Sequence, residues 1–254
     1  MNTYGLDFIE LKNFDNIKYG KYHYNYKTVD FMLNWKENAQ KTLIVFNARI
    51  GGAIQLPVFY KHDFENNDIN VLCLSDKLLE YARNCHNTIY TGTTEIRFDA
   101  IYKEIIQNVL TIVNTGTNIF FGSCSGAHPA IRYGLLFEAF IVVTNGYVYI
   151  DEAIYNTYST KLENQSNLVF INFTNIDTQK LIKIHKPKHL YIYINKNDTF
   201  VFNLNKEFFL ECKKYFTDNI SLIVHDTLEE GKDAHDIFYP KDQTFESIIK
   251  NIEF

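Results

Sequence analysis

The sequence predicts an α/β fold, with a mainly parallel central sheet, helices on both faces and an antiparallel hairpin near the N-terminus. Three observations lead there. Short, mainly apolar runs recur at residues 42–46, 70–74, 119–121, 139–143, 190–194 and 220–225, the pattern of buried strands, with 42–46 reading as one buried on both faces. Helix-compatible segments lie between several of them, the alternation that builds parallel sheets with right-handed crossovers. The run at 118–121 stops abruptly at Gly122-Ser123-Cys124-Ser125-Gly126, and helix-compatible sequence follows at once.

Along the chain, residues 17–35 alternate aromatic or aliphatic side chains with polar ones, as in Tyr22-His23-Tyr24-Asn25-Tyr26. Period two with this aromatic content predicts a hairpin with one wet face. Residues 42–46 and 70–74 are the first two buried strands, and 101–113 carries Ile105, Ile106, Val109 and Leu110 at helical spacing. After strand 119–121, helices are expected over 130–137, 206–216 and 245–252, with strands at 139–143, 190–194 and 220–225. Residues 151–188 are less regular and are expected to form a cap over a site. No linker rich in Pro, Gly or Ser divides the chain, so one domain over 1–254 is expected.

The 254 residues, 46% of them hydrophobic, can bury a sizeable core. A net charge of −5 without a long Lys/Arg block argues against nucleic acid or anionic lipid as partner. No stretch approaches the roughly 18 apolar residues of a membrane span, and the first residues lack a basic-then-apolar leader. A cytoplasmic protein without a membrane span is expected. Cys73, Cys85, Cys124 and Cys212 form no Cys-x-x-Cys pair, which argues against a disulfide framework and against a zinc site. No metal and no resident cofactor are expected, and the oligomeric state is left open.

Open parallel sheets place their sites beyond the carboxyl ends of the strands. Cys124 follows strand 119–121, Asn195-Lys196-Asn197-Asp198 follows strand 190–194, and the loop after strand 220–225 holds His235. A strand, a sharp glycine-flanked turn and a helix are the mechanics of a nucleophile elbow, and nucleophile, acid, histidine is the chain order that goes with it. Cys124 is the candidate nucleophile, His235 the general base and Asp198 the residue that orients it. His225, Asp226 and Asp233 are competitors for the last two roles. An oxyanion hole needs two backbone N–H donors. Ser125 is expected to supply one, and Ala48 or Arg49, in Asn47-Ala48-Arg49-Ile50-Gly51-Gly52 after strand 42–46, the other. Pro129 lacks an N–H and belongs in a first helical turn, which puts the helix start close to Ser125 or Gly126. Tyr147, Tyr149, Tyr155 and Tyr158 could stack on a sugar, although packing is the commoner role of such residues.

On these residues the chain resembles the α/β-hydrolase superfamily over about residues 17–254, which implies a three-layer sandwich. The run Phe120-Phe121-Gly122-Ser123-Cys124-Ser125-Gly126 looks like the Gly-Ser-Ser-x-Gly elbow of small α/β-hydrolase-like proteins of bacterial surface-polysaccharide (capsule) synthesis. Asn197-Asp198 and Ala234-His235 are similar to the acid and histidine loops of that group. Some of its members are polysaccharide O-acetyltransferases, so the resemblance implies acyl transfer or ester hydrolysis on a carbohydrate-linked acyl group. It also implies a small-molecule or oligosaccharide substrate, with acetyl-CoA as a candidate acyl donor. Cysteine replaces the usual serine, as in dienelactone hydrolases of the same superfamily, and Asn47-Ala48 replaces a common His-Gly. The rival expectation is a non-catalytic binding or assembly protein of a glycan pathway that retains the fold.

Overall fold

The computed structural model describes residues 5–48, 56–59, 69–81, 85, 88–150, 152–166, 168–171 and 177–252. Its strands are β1 (Phe8–Leu11), β2 (Gly20–Tyr26), β3 (Val29–Trp35), β4 (Lys41–Phe46), β5 (Ile69–Leu74), β6 (Thr117–Ser123), β7 (Phe140–Thr144), β8 (His189–Asn195) and β9 (Ile220–His225). They form one nine-stranded sheet in the order β1-β2-β3-β5-β4-β6-β7-β8-β9. From β5 to β9 all neighbours are parallel. The pairs β2–β3 and β3–β5 are antiparallel, and β1 adds in parallel to β2.

The helices are α1 (Phe98–Val113), α2 (Ala127–Leu136), α3 (Glu152–Ser166), α4 (Thr178–Leu181), α5 (Thr199–Cys212) and α6 (Phe245–Lys250). Alternate residues of the strands point to opposite faces, and the core divides accordingly. Ile44, Phe46, Leu72, Phe120, Ile141 and Ile192 pack with Ile105 of α1, Ile131 of α2 and Phe208 of α5. Leu43, Val45, Val71, Ile119, Phe121 and Val142 pack with Phe245, Ile248 and Ile249 of α6. Helices on both faces make this the three-layer arrangement expected.

Several boundaries differ from the sequence expectation, each for a physical reason. The hairpin lacks the wet face expected of it along β3, because β3 lies inside the sheet between β2 and β5, and Val29, Phe31 and Leu33 are buried together with Asp30 and Met32. Asp30 tolerates this by accepting a hydrogen bond from His23 Nε2 at 2.8 Å. α5 starts at Thr199, seven residues before the expected 206, because the Asp198 carboxylate caps it by accepting from the Val201 N–H at 3.3 Å. That cap outweighs the weak helix propensity of Thr199, Phe200 and Val201. α2 starts at Ala127, three residues before the helix-compatible run at 130–137 and close to where Pro129, inside its first turn, puts it. It is buried from Ala127 to Leu135, close enough to the sheet that a Cβ on Gly134 would stand 2.5 Å from Ile141 Cγ1. The segment expected as a cap holds α3 and α4, and between them Phe170 forms an isolated bridge with Thr93. Among the described residues no helix is long and apolar enough to cross a membrane.

Candidate active site

The registers Phe46↔Gly122, Ser123↔Thr144, Thr144↔Tyr193 and Asn195↔His225 align the carboxyl ends of β4, β6, β7, β8 and β9 along one edge. Cys124 follows β6 directly and opens a single 3-10 turn, Cys124–Gly126, ahead of α2. Its φ is +49°, in the left-handed region that costs an L-residue about 1–2 kcal/mol. The flanking glycines are required by contact. A Cβ on Gly122 would overlap the Gly126 carbonyl, and one on Gly126 would lie 2.5 Å from the Phe46 oxygen and 2.8 Å from the Asn47 oxygen. A Cβ on Gly146, after β7, would overlap that of Ala127. The turn is thus wedged between the loops that leave β4 and β7, and the Tyr147 N–H donates to the Cys124 carbonyl at 2.9 Å.

The structure joins Cys124, His235 and Asp198 in one chain of contacts. His235 Nε2 stands 3.1 Å from Cys124 Sγ, and Nδ1 stands 2.6 Å from Asp198 Oδ2. Cys124 is partly exposed, whereas Cys73, Cys85 and Cys212 are buried. The hydrogen bond to Cys124, and after it that to Asp198, push the His235 pKa up to about 9 against the opposing effect of burial. The imidazole therefore carries its proton through neutral pH. The competitors have other partners: Asp233 accepts from the His235 backbone N–H at 2.9 Å, and Asp226 pairs with Lys196 at 2.9 Å. His225 is buried at the end of β9, and burial lowers its pKa.

A residue that carried no sequence signal holds this arrangement together. Asn145, fully buried just past β7, has a φ of +40°, a region Asn enters more readily than most residues. Its Nδ2 donates to the carbonyls of Ala234 (3.3 Å), His235 (3.0 Å) and Ile237 (2.9 Å). Its Oδ1 accepts from the Asn195 N–H at 2.8 Å. One side chain thus ties the His235 turn to the end of β8, three residues before Asp198. No short motif announces such a hub, because its partners are backbone groups remote in sequence.

Ser125 is buried within the 3-10 turn that presses against the Phe46 and Asn47 carbonyls, which brings the start of the Ala48 loop beside it. The Asn47 N–H donates to Tyr90 Oη at 2.7 Å, and Asn47 Nδ2 to the Val58 carbonyl at 2.5 Å, so this loop is anchored at its first residue. Arg49 lies outside the described residues. A half-open cavity of about 300 Å³ adjoins Ser125, walled mainly by Ile89, Ile150, Tyr147, Tyr158 and Phe200, with His128, Thr157 and Lys161 adding polar groups. Of the four tyrosines singled out, Tyr147 and Tyr158 thus line this space. Tyr155 donates to the Ile171 carbonyl at 2.9 Å, and Tyr149 packs on Phe208. The Tyr147 ring stands 6.2 Å from that of His235 and 6.2 Å from that of Phe200, which sets the cavity next to the imidazole. Among the described residues no cluster of three or more His, Cys, Asp or Glu is placed to hold a metal ion.

No family model and no curated protein matches the sequence. Solved structures do match the fold. The capsule O-acetyltransferase of Neisseria meningitidis serogroup A superposes with a TM-score of 0.61 at 19% identity, covering 84% of this chain and 89% of that one. A mutant of that enzyme in complex with CoA gives a TM-score of 0.61 at 18% identity, covering 85% and 89%. An esterase of Pyrococcus furiosus gives 0.50 at 17% identity, covering 83% of each chain. With the strand order and the elbow after β6, these likenesses establish that the chain has an α/β-hydrolase-like fold.

Proposed function

We propose that the protein is an acyltransferase or esterase that works through a Cys124-His235-Asp198 triad and a thioester on Cys124. The observation that carries this reading is the run of contacts from Cys124 Sγ through His235 to Asp198, at 3.1 and 2.6 Å, with Cys124 held in a left-handed turn. The same reach of sulfur to imidazole favours turnover over a purely binding role.

In the first half-reaction Cys124 sulfur attacks the acyl carbonyl as a thiolate, its proton residing on His235. The backbone N–H groups of Ser125 and of Ala48 or Arg49 stabilise the oxyanion. Collapse of the tetrahedral intermediate expels the leaving group, which takes the proton from Nε2, and leaves the thioester. In the second, an acceptor hydroxyl gives its proton to Nε2 and attacks the thioester carbon. Breaking the C–S bond then restores the thiolate beside the imidazolium. Asp198 keeps Nδ1 protonated and the ring aligned throughout. Acetyl-CoA or another activated acyl compound is the donor. The acceptor is a carbohydrate hydroxyl, by analogy with the capsule O-acetyltransferase that shares the fold, or water where the site admits it.

Turnover of para-nitrophenyl esters tests the reading. Cys124→Ala is expected to lose about a thousandfold or more in kcat while folding normally, and Cys124→Ser to keep partial activity. Wild-type turnover by Cys124→Ala would refute it.

A further inference from the structure

The cavity beside Ser125 has a size and lining that the chemistry of the triad does not by itself require. At about 300 Å³ it has room for about ten water-sized units, each close to a methylene in volume. An acetyl group would occupy a small part of it. Its walls are mainly aromatic faces and aliphatic side chains, with Ser125, His128, Thr157 and Lys161 as the polar members, a balance that suits a hydrocarbon chain better than a sugar ring with hydroxyls on every side. Lys161 is exposed, so its ammonium remains hydrated.

One wall is built with unusual care. Ile89 and Tyr90 have φ values of +50° and +53°, and a β-branched residue there is strained. A buried carboxyl and a buried guanidinium hold the turn in place. Asp76 accepts from the Thr88 N–H at 2.9 Å and from Thr88 Oγ1 at 2.5 Å, while Arg132 Nη2 donates to the Tyr90 carbonyl at 2.5 Å. Asp76 and Arg132 are themselves buried. Strain sustained by a fixed surround clusters where the shape of a site matters, and here it presents Ile89, only 1% exposed, to the cavity.

We infer that this cavity binds the acyl group itself, that its preferred occupant is an apolar acyl chain of about six to ten carbons, and that Ile89 limits the length accepted. The inference deepens the acyl-thioester reading and rests on it.

The test is the wild-type protein and Ile89→Gly, each assayed with para-nitrophenyl acetate, butyrate, octanoate and dodecanoate. Rates are paired with intact-mass detection of the adduct on Cys124. Glycine accepts the left-handed backbone without strain, so the variant changes the wall and spares the turn. In the wild type, kcat/KM should rise about three- to fourfold per added methylene until the cavity is full, then fall. In Ile89→Gly the optimum should move to the longer esters. Acetate turned over as well as octanoate, or an optimum unmoved in Ile89→Gly, overturns the assignment of the cavity while an adduct on Cys124 leaves the triad standing. No adduct from any ester would remove the proposed function and this inference together.

Discussion

At a φ of +49°, Cys124 occupies backbone that strains a cysteine and leaves a glycine unstrained. The strain has a structural purpose: a sulfur at the apex of a left-handed turn points away from β6 toward the imidazole of His235, 3.1 Å distant. Its cost is open to measurement. In ordinary backbone, alanine is more stable than glycine by about 0.5–1 kcal/mol. Here the order should invert. Cys124→Ala and Cys124→Gly both lose the thiol, but only alanine retains the left-handed penalty, so the glycine variant should be the more stable by about 1 kcal/mol. Thermal or urea unfolding of the two reads the difference, and an alanine variant as stable as the glycine one would mean the turn is relaxed.

Among the elements, the turn between β9 and α6 matters most to the site because it carries His235. It is a single 3-10 turn, Ala234–Asp236, without a buried side chain, so its own packing holds it weakly. Asn145 supplies the tether from the end of β7. Asn145→Gly keeps the left-handed backbone and removes only the side chain. Freed of the tether, His235 should lose register with Cys124 and Asp198, and kcat should fall about a hundredfold with little change in KM. The pH profile separates this from general damage. His235 in the wild type releases its proton near pH 9, so the rate should fall as pH rises through that value and the proton for the leaving group is lost. With its partners misaligned, the pKa moves down toward the ordinary histidine value, and the alkaline limb should move down with it. An unshifted limb in Asn145→Gly would assign Asn145 to stability alone.

Across the whole molecule, legibility in the sequence followed the range of the forces involved. β4 to β8 were readable because strands buried in the middle of a covered sheet must be mainly apolar, and β9, an edge strand with Val224 exposed, because its run of Ile, Leu and Val is still continuous enough. The sheet of helices and parallel strands follows from their alternation with helical segments. The elbow was readable because its glycines sit at fixed spacing around Cys124 and the clashes they avoid are local. α3 escaped notice because its polar sequence carries little helical periodicity. β1 did so because it is four residues long, with Phe8 exposed. The burial of β3 depends on its place between β2 and β5, which alternation along one strand does not encode. Asn145 and the Asp76-Arg132 surround of Ile89 were invisible for a related reason: each acts through contacts between 12 and 92 residues apart.

The central claim is that sulfur on Cys124 takes up an acyl group. Intact-mass spectrometry of the protein after brief exposure to acetyl-CoA and to activated esters tests it most directly. The account predicts a mass increase of one acyl group, located on Cys124, absent in Cys124→Ala and discharged by an acceptor hydroxyl or by water. An acyl adduct that persists in Cys124→Ala, or none on Cys124 with any donor, would contradict it.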